Sequence, residues 1–193
     1  DIEQLGFERA IMLSFDTRDE MGFDTKCYLV AELMGKYSNL IFLDADKRIV
    51  SALKTVDFTT SSLRQVLPGM LYELPPKQDK HNPIDCTKEQ FVALWDNAPA
   101  DQRADKFIIS NFLGISSAVA REMSYRASGD IDSTLRNCSL DALYDAFFAI
   151  IEQIKTNSYT PTTVFEGERA VEYAFCRLTH YKGLELRDFE SPS

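Results

Sequence analysis

The 193-residue chain is 45% hydrophobic and 11% aromatic, enough to bury a core without disulfide or metal staples. Its 30 Asp and Glu outnumber 21 Lys and Arg, and the resulting net charge of −9 is a poor overall footprint for nucleic-acid binding, which draws on Lys and Arg contacts to phosphate. Four scattered cysteines (Cys27, Cys86, Cys138, Cys176) without a C-x-x-C, beside only two histidines, exclude a zinc finger or ribbon and read as buried thiols in a reducing cytoplasm. No run of 18 apolar residues marks a membrane span. The opening "DIEQLGFERA" lacks a methionine and runs straight into apolar alternation, as expected of a fragment that starts inside a domain.

The first 85 residues read as strands. Leu5, Phe7, Ile11, Leu13 and Phe15 share one parity, the period of a half-buried strand. Arg9 falls on the same parity, so it is expected to face the apolar side unless a bulge intervenes, and there it must find a partner or line a cleft. "CYLVAELM" is apolar on both parities and reads as a central strand in which Glu32 is an odd guest. "LMGKYS" has a glycine–lysine pair, yet a phosphate loop needs several glycines before the lysine and Ser or Thr directly after it. Here one glycine precedes Lys36, Tyr37 stands at the magnesium position, and strand resumes in "NLIFLD"; a hairpin is predicted. "ADKR" then turns into "RIVSALK". Pro68-Gly69 marks a turn, and Pro75, Pro76 and Pro83 make an extended connector.

Helices dominate residues 86–156. "TKEQFVALWDN" opens with Thr87 and Gln90 at capping-box spacing. "ADKFIISNFL" and "SAVAREMSYRA" predict two short helices about a tight turn, and "SLDALYDAFFAIIEQIK" places Leu140, Leu143, Tyr144, Phe147, Ile151 and Ile154 on one face. Strand returns over 157–193, with a hairpin turn at Glu166-Gly167, and this segment is expected to pack back on the rest.

The turn "LGISS" carries the one chemical motif. Gly114 would pinch the backbone, Ile115 would anchor it, Ser116 would cap the second helix, and that helix would offer its first N–H groups to a phosphate. Four basic residues against two acidic ones between Arg103 and Arg126 agree with a helix-hairpin-helix; an αα-hairpin that only packs fits the same spacing. His81 and His180 accompany no nucleophile motif and read as surface or packing residues. No carboxylate pair is spaced for acid–base work, so no catalytic residues, metal, cofactor or small-molecule substrate are expected.

"FERAIMLSF", "ELMGKYSNLIFLD", "RQVLPGMLYELPPKQDKHNP" and "LGISSAVARE", in this order, resemble the NFACT-N region of the NFACT family. Its bacterial members are known as RqcH and also carry the label fibronectin-binding protein FbpA; the eukaryotic relative is NEMF. The resemblance implies an α+β fold: an antiparallel β-rich part of a formamidopyrimidine-DNA-glycosylase-like domain without its catalytic N-terminus, a helix-hairpin-helix domain, and a C-terminal β return. It further implies a cytoplasmic, non-catalytic module of ribosome-associated quality control. Its partners would be the large ribosomal subunit and tRNA, alanine tRNA in bacteria, in untemplated alanine tailing of stalled chains. A family Asp-Arg pair for tRNA engagement aligns with Glu8-Arg9, with glutamate in place of aspartate. Gly114, Ile115 and Ser116, supported by Arg121, would meet an RNA phosphate. The older label implies a different partner, fibronectin, and a surface adhesin; the glycosylase-like fold implies a DNA repair enzyme, for which the residues supply no nucleophile.

Overall fold

The computed structural model describes residues 1–6, 8–76 and 78–191, so Phe7 and Lys77 of the motifs above lie outside the described residues. The fold is mixed α+β, with two antiparallel sheets and four α-helices among the described residues. The chain divides into two compact units, Asp1–Gln78 and Asp79–Ser193.

The first unit is a five-stranded meander, β1 (Ile2–Gln4), β2 (Ala10–Arg18), β3 (Asp24–Glu32), β4 (Asn39–Leu43) and β5 (Ile49–Ala52), paired in sequence order. "GKYS" is the hairpin between β3 and β4, a single 3₁₀ turn over Gly35–Tyr37 closed by Ser38, whose hydroxyl accepts the Met34 N–H at 2.9 Å. Asp44 shapes the next turn, accepting the N–H groups of Asp46 and Arg48.

Two sequence expectations fail at the start of the chain. The apolar run is not one strand: Gly6, at φ 66°, turns β1 back onto β2, and Arg9 lies in the bend before β2, exposed. The buried parity of β2 is also the other one. Ala10 and Met12 are buried, whereas Ile11 and Leu13 are half-buried and Phe15 is exposed. Both parities of β2 are apolar, and the tertiary cover decides between them. Residues 53–76 fold over the Met12 face, where Val66 completes a core of Val30, Ile41, Leu43 and Ile49. Register places Leu13, Leu29 and Phe42 together on the opposite face, which stays partly exposed.

Glu32 sits on the covered face, because it pairs with Ala10 and Asn39. Its carboxylate is held by both terminal nitrogens of Arg64, at 2.6 and 3.2 Å, and by the Tyr72 hydroxyl at 2.9 Å. Arg64 also donates to the Glu73 carbonyl and lies over the Tyr72 ring. Burial, then the neighbouring Glu32 charge, pushes the Tyr72 phenol well above its ordinary range. The planar fork of arginine suits this site: two parallel bonds satisfy both carboxylate oxygens where water is excluded.

The second unit packs helices α1 (Lys88–Asp96), α2 (Ala104–Asn111), α3 (Ser117–Ser128) and α4 (Leu140–Lys155) against a small sheet. That sheet consists of β6 (Thr162–Glu166), β7 (Arg169–Ala174) and β8 (Glu185–Asp188), with β6 in the middle. The Thr87–Gln90 capping box forms with both of its bonds. Phe91 is the centre of an aromatic cluster, with ring centroids 5.4 Å from Phe107, 5.9 Å from Phe112 and 5.3 Å from Phe147. Val164, Cys176 and Leu178 complete the same core, so the small sheet and the helices fold as one layer pair. The four cysteines are free thiols; Cys138 and Cys176 are buried, and burial raises the pKa of Cys176 to about 11. No helix among the described residues is long and apolar enough to cross a membrane.

Replacing Glu32 or Arg64 alone by alanine strands the other charge in the interior and is expected to cost about 3–5 kcal/mol of the first unit's stability. Arg18→Ala, which breaks an exposed pair with Asp24, is expected to cost under ~1 kcal/mol. Urea unfolding of the three variants measures the contrast.

Candidate functional site

Each unit carries one of the residue groups singled out by sequence. In the first unit Glu8 is half-buried and Arg9 exposed, at the mouth of the β2–β3 hairpin. The backbone there is tied down: the Arg9 carbonyl accepts the Leu33 N–H at 2.7 Å, and the Glu8 carbonyl accepts the Gln4 side-chain amide at 3.2 Å. Among the described residues neither the Glu8 carboxylate nor the Arg9 guanidinium has an ion-pair partner. The expected neighbour holding Arg9 is therefore not found. A fixed backbone presents a free guanidinium to solvent.

In the second unit α2 and α3 are joined by residues 112–116. Gly114, at φ 72°, makes the sharp reversal, a conformation that a side chain would strain. Ile115 is half-buried against the main core, and Ser116 caps α3 by accepting the Val119 N–H at 3.3 Å. Ala120 is fully buried. The connector supports this turn: His81 donates its backbone N–H to the Asn111 carbonyl and accepts that of Leu113. As the first residues of a helix, Ser117 and Ala118 have no carbonyl one turn back to meet their N–H groups.

The basic surplus around this turn is smaller than the sequence count implies. Arg103 is spent on Asp105, with bonds of 2.9 and 3.0 Å, and on Asp132 at 2.7 Å; Arg126 is spent on Glu122. Arg121 is half-buried with its Nε 3.9 Å from Asp105, so it is partly drawn to that carboxylate. Only Lys106 of the four is exposed without such a pair among the described residues.

What sets the position of α3 is Glu122, a residue that sequence reasoning passed over. Its side chain is wholly buried and accepts from the Arg126 guanidinium at 2.7 Å, the Thr179 N–H at 2.6 Å and hydroxyl at 2.7 Å, and the His180 N–H at 3.1 Å. His180 Nδ1 lies 2.8 Å away; because an ionised carboxylate only accepts, that nitrogen carries the proton. Burial alone would raise the Glu122 pKa, but the hydrogen bonds from His180, Arg126 and Thr179 prevail and hold it at about 2. The sequence signals were a lone Glu within an otherwise apolar face of α3 and Arg126 one helical turn after it; Thr179 and His180 lie more than fifty residues away.

Among the described residues no group of three His, Cys, Asp or Glu side chains is placed to hold a metal ion. The surface chemistry on offer is recognition by arginine and by helix-terminal N–H groups.

Over residues 1–193 the chain matches the model of the NFACT N-terminal and middle domains. It is 34% identical over 195 residues to the Rqc2 homolog RqcH of Bacillus subtilis (strain 168), covering 100% of this chain and 32% of that protein. To the archaeal Rqc2 homolog aRqcH of Methanocaldococcus jannaschii it is 28% identical, covering 98% of this chain and 27% of that protein. The chain thus spans about a third of the length of such relatives. Among solved structures it resembles the N-terminal part of the fibronectin/fibrinogen-binding protein from Streptococcus suis, with a TM-score of 0.71 and 25% identity over 99% of this chain and 62% of that one. It shares its fold with the fibrinogen binding protein from Staphylococcus aureus, at a TM-score of 0.77 and 24% identity over 99% and 65% of the two chains.

The Glu122 network has a pH signature. A carboxyl whose folded pKa lies below its ordinary 4.5 contributes stability above that value and loses it as pH falls toward about 2. Glu122→Gln is expected to cost about 3 kcal/mol at pH 7. The gap from the unsubstituted chain should close between pH 4.5 and 2, as read by thermal melts across that range.

Proposed function

The chain belongs to the NFACT family, and on that premise we propose that it is a non-catalytic RNA-binding module of an RqcH-type ribosome-associated quality control factor. In this reading it works in the cytoplasm on the large ribosomal subunit and supports alanine tailing of stalled chains. One observation carries the reading to a residue: in a chain with net charge −9, Arg9 is left exposed and, among the described residues, without an acidic partner. An exposed guanidinium on a fixed backbone is suited to a partner's phosphate, which it can meet with two parallel bonds. Glu8, half-buried beside it, would add an acceptor for a ribose hydroxyl or a base N–H. The pair would engage tRNA as the aligned family motif implies.

The α2–α3 turn supports the same reading as a helix-hairpin-helix, with Gly114 as the pinch, Ile115 as the anchor, and the N–H groups behind Ser116 facing RNA phosphate. Arg121 would contribute through its half-exposed guanidinium. The partly exposed Leu13, Leu29 and Phe42 face of the first sheet supports the glycosylase-like β-sandwich, in which a second layer would cover it. A second reading, adhesion to fibronectin or fibrinogen, draws on the names of the solved neighbours. Protease shaving of intact cells tests it, since an adhesin is cleaved and a ribosomal factor is not.

Arg9→Ala in the full-length protein is expected to abolish alanine tailing while the melting temperature of the 193-residue chain stays within about 1 °C, as for other exposed substitutions. Unchanged tailing in that variant would remove Glu8-Arg9 from the mechanism.

A further inference from the structure

Beside the α2–α3 turn, wholly within the second unit, lies a cleft of about 710 Å³ bounded by the start of α3, the start of β6 and the end of β7. Its buried lining residues are Val119, Pro161 and Thr162. Phe175 is fixed edge-on by Tyr159 at 5.9 Å. Two aromatic side chains stand on the rim: Tyr173 is 78% exposed and Phe189 50% exposed. Phe189 is positioned by its backbone N–H, which donates to the Pro161 carbonyl at 2.8 Å. Glu172 also lines the cleft, half-buried, and its carboxylate accepts the Tyr173 N–H at 3.1 Å. Ser116, the cap of α3, forms part of the same wall.

This combination selects one kind of occupant. A carboxylate in the lining opposes a phosphate or a lipid headgroup inside the cleft. Two exposed aromatic rings offer flat apolar surface at small entropic cost, since each has only two side-chain torsions. A carboxylate acceptor beside stacking surface matches the edge of a nucleobase, whose ring N–H or amino group can donate while its face stacks. The positive end of α3, at the same wall, would then lie close to the phosphate attached to that base.

We propose that the cleft holds one unstacked nucleobase of a single-stranded RNA segment. Tyr173 and Phe189 would stack on it, Glu172 would accept from its polar edge, and the flanking phosphate would lie at the Gly114–Ser116 turn. The proposal rests on the RNA-binding reading above and gives it a base-contacting subsite.

The test uses the 193-residue chain and a fluorescein-labelled single-stranded RNA hexanucleotide of mixed sequence, with a second oligonucleotide abasic throughout. Tyr173→Ala is expected to weaken binding of the first about tenfold, in the range for loss of one base–aromatic stack, with an unchanged salt slope; Tyr173→Phe should retain most affinity. The abasic oligonucleotide should bind the unsubstituted chain more weakly and show no further loss with Tyr173→Ala. Phe189→Ala and Glu172→Gln give independent checks, and circular dichroism melts confirm that each variant folds. Wild-type affinity in both Tyr173→Ala and Phe189→Ala, or a Tyr173→Ala loss that is equal for the abasic strand, overturns the subsite. If Arg9→Ala weakens binding while the cleft variants do not, the subsite fails and the function reading stands. If the unsubstituted chain binds neither oligonucleotide, both fail.

Discussion

A buried carboxylate, Glu122, fixes the part of the molecule on which the proposed recognition surface of the second unit is built. It sits wholly out of solvent on α3 and binds backbone and side chains of Thr179 and His180, while Arg126 spans from Glu122 to the Arg177 carbonyl at 2.8 Å. The segment after β7 is thereby fastened to the helix, and apolar packing of Val164, Cys176 and Leu178 against Phe147 and its neighbours adds the non-directional part of the same attachment. Such a carboxylate is costly unless every lone pair is met, so the site tolerates few alternative positions of α3. The start of α3, the Gly114 turn and the cleft beside it inherit that precision.

The first unit solves a similar problem with different parts. Glu32 would be an unpaired charge under the 53–76 cover if Arg64 and Tyr72 did not converge on it. Their convergence in turn fixes the path of that cover, because Arg64 also holds the Glu73 carbonyl. The loop therefore closes over Met12, Val30 and Ile41 in one arrangement. The β2–β3 end that carries Arg9 lies at the edge of this arrangement, with Ala10 paired to Glu32.

Legibility in the sequence followed the range of the interaction. The Thr87–Gln90 box, the Ser116 cap, the Gly35 hairpin and the Glu166-Gly167 turn are decided by residues within four positions of one another, and each formed where its chemistry predicted. The amphipathic face of α4 was equally plain, with Leu143, Phe147 and Ile151 buried. What failed depended on distant chain. The parity of β2 could not be chosen while both of its faces were apolar, and the turn at Gly6 was hidden by the apolar residues on either side. Glu32 looked anomalous until Arg64 was placed against it, 32 positions on, and His180 gave no hint of the carboxylate it meets 58 positions back. At the α2–α3 turn the local geometry was readable, but the basic surplus was overstated because Arg103 and Arg126 are consumed by Asp105 and Glu122. The cleft between α3 and β7 joins segments too far apart for any spacing rule.

An acidic chain can still recognise RNA if the cationic and N–H groups at the site are held in place and its other contacts are aromatic and do not depend on net charge. The most direct measurement of this account is ultraviolet crosslinking of the full-length protein to RNA in cells, with the crosslinked peptides mapped by mass spectrometry. Nucleotide adducts on the peptides that contain Arg9 and Tyr173 are the predicted result. RNA adducts confined to regions outside these 193 residues, with none within them, would contradict it.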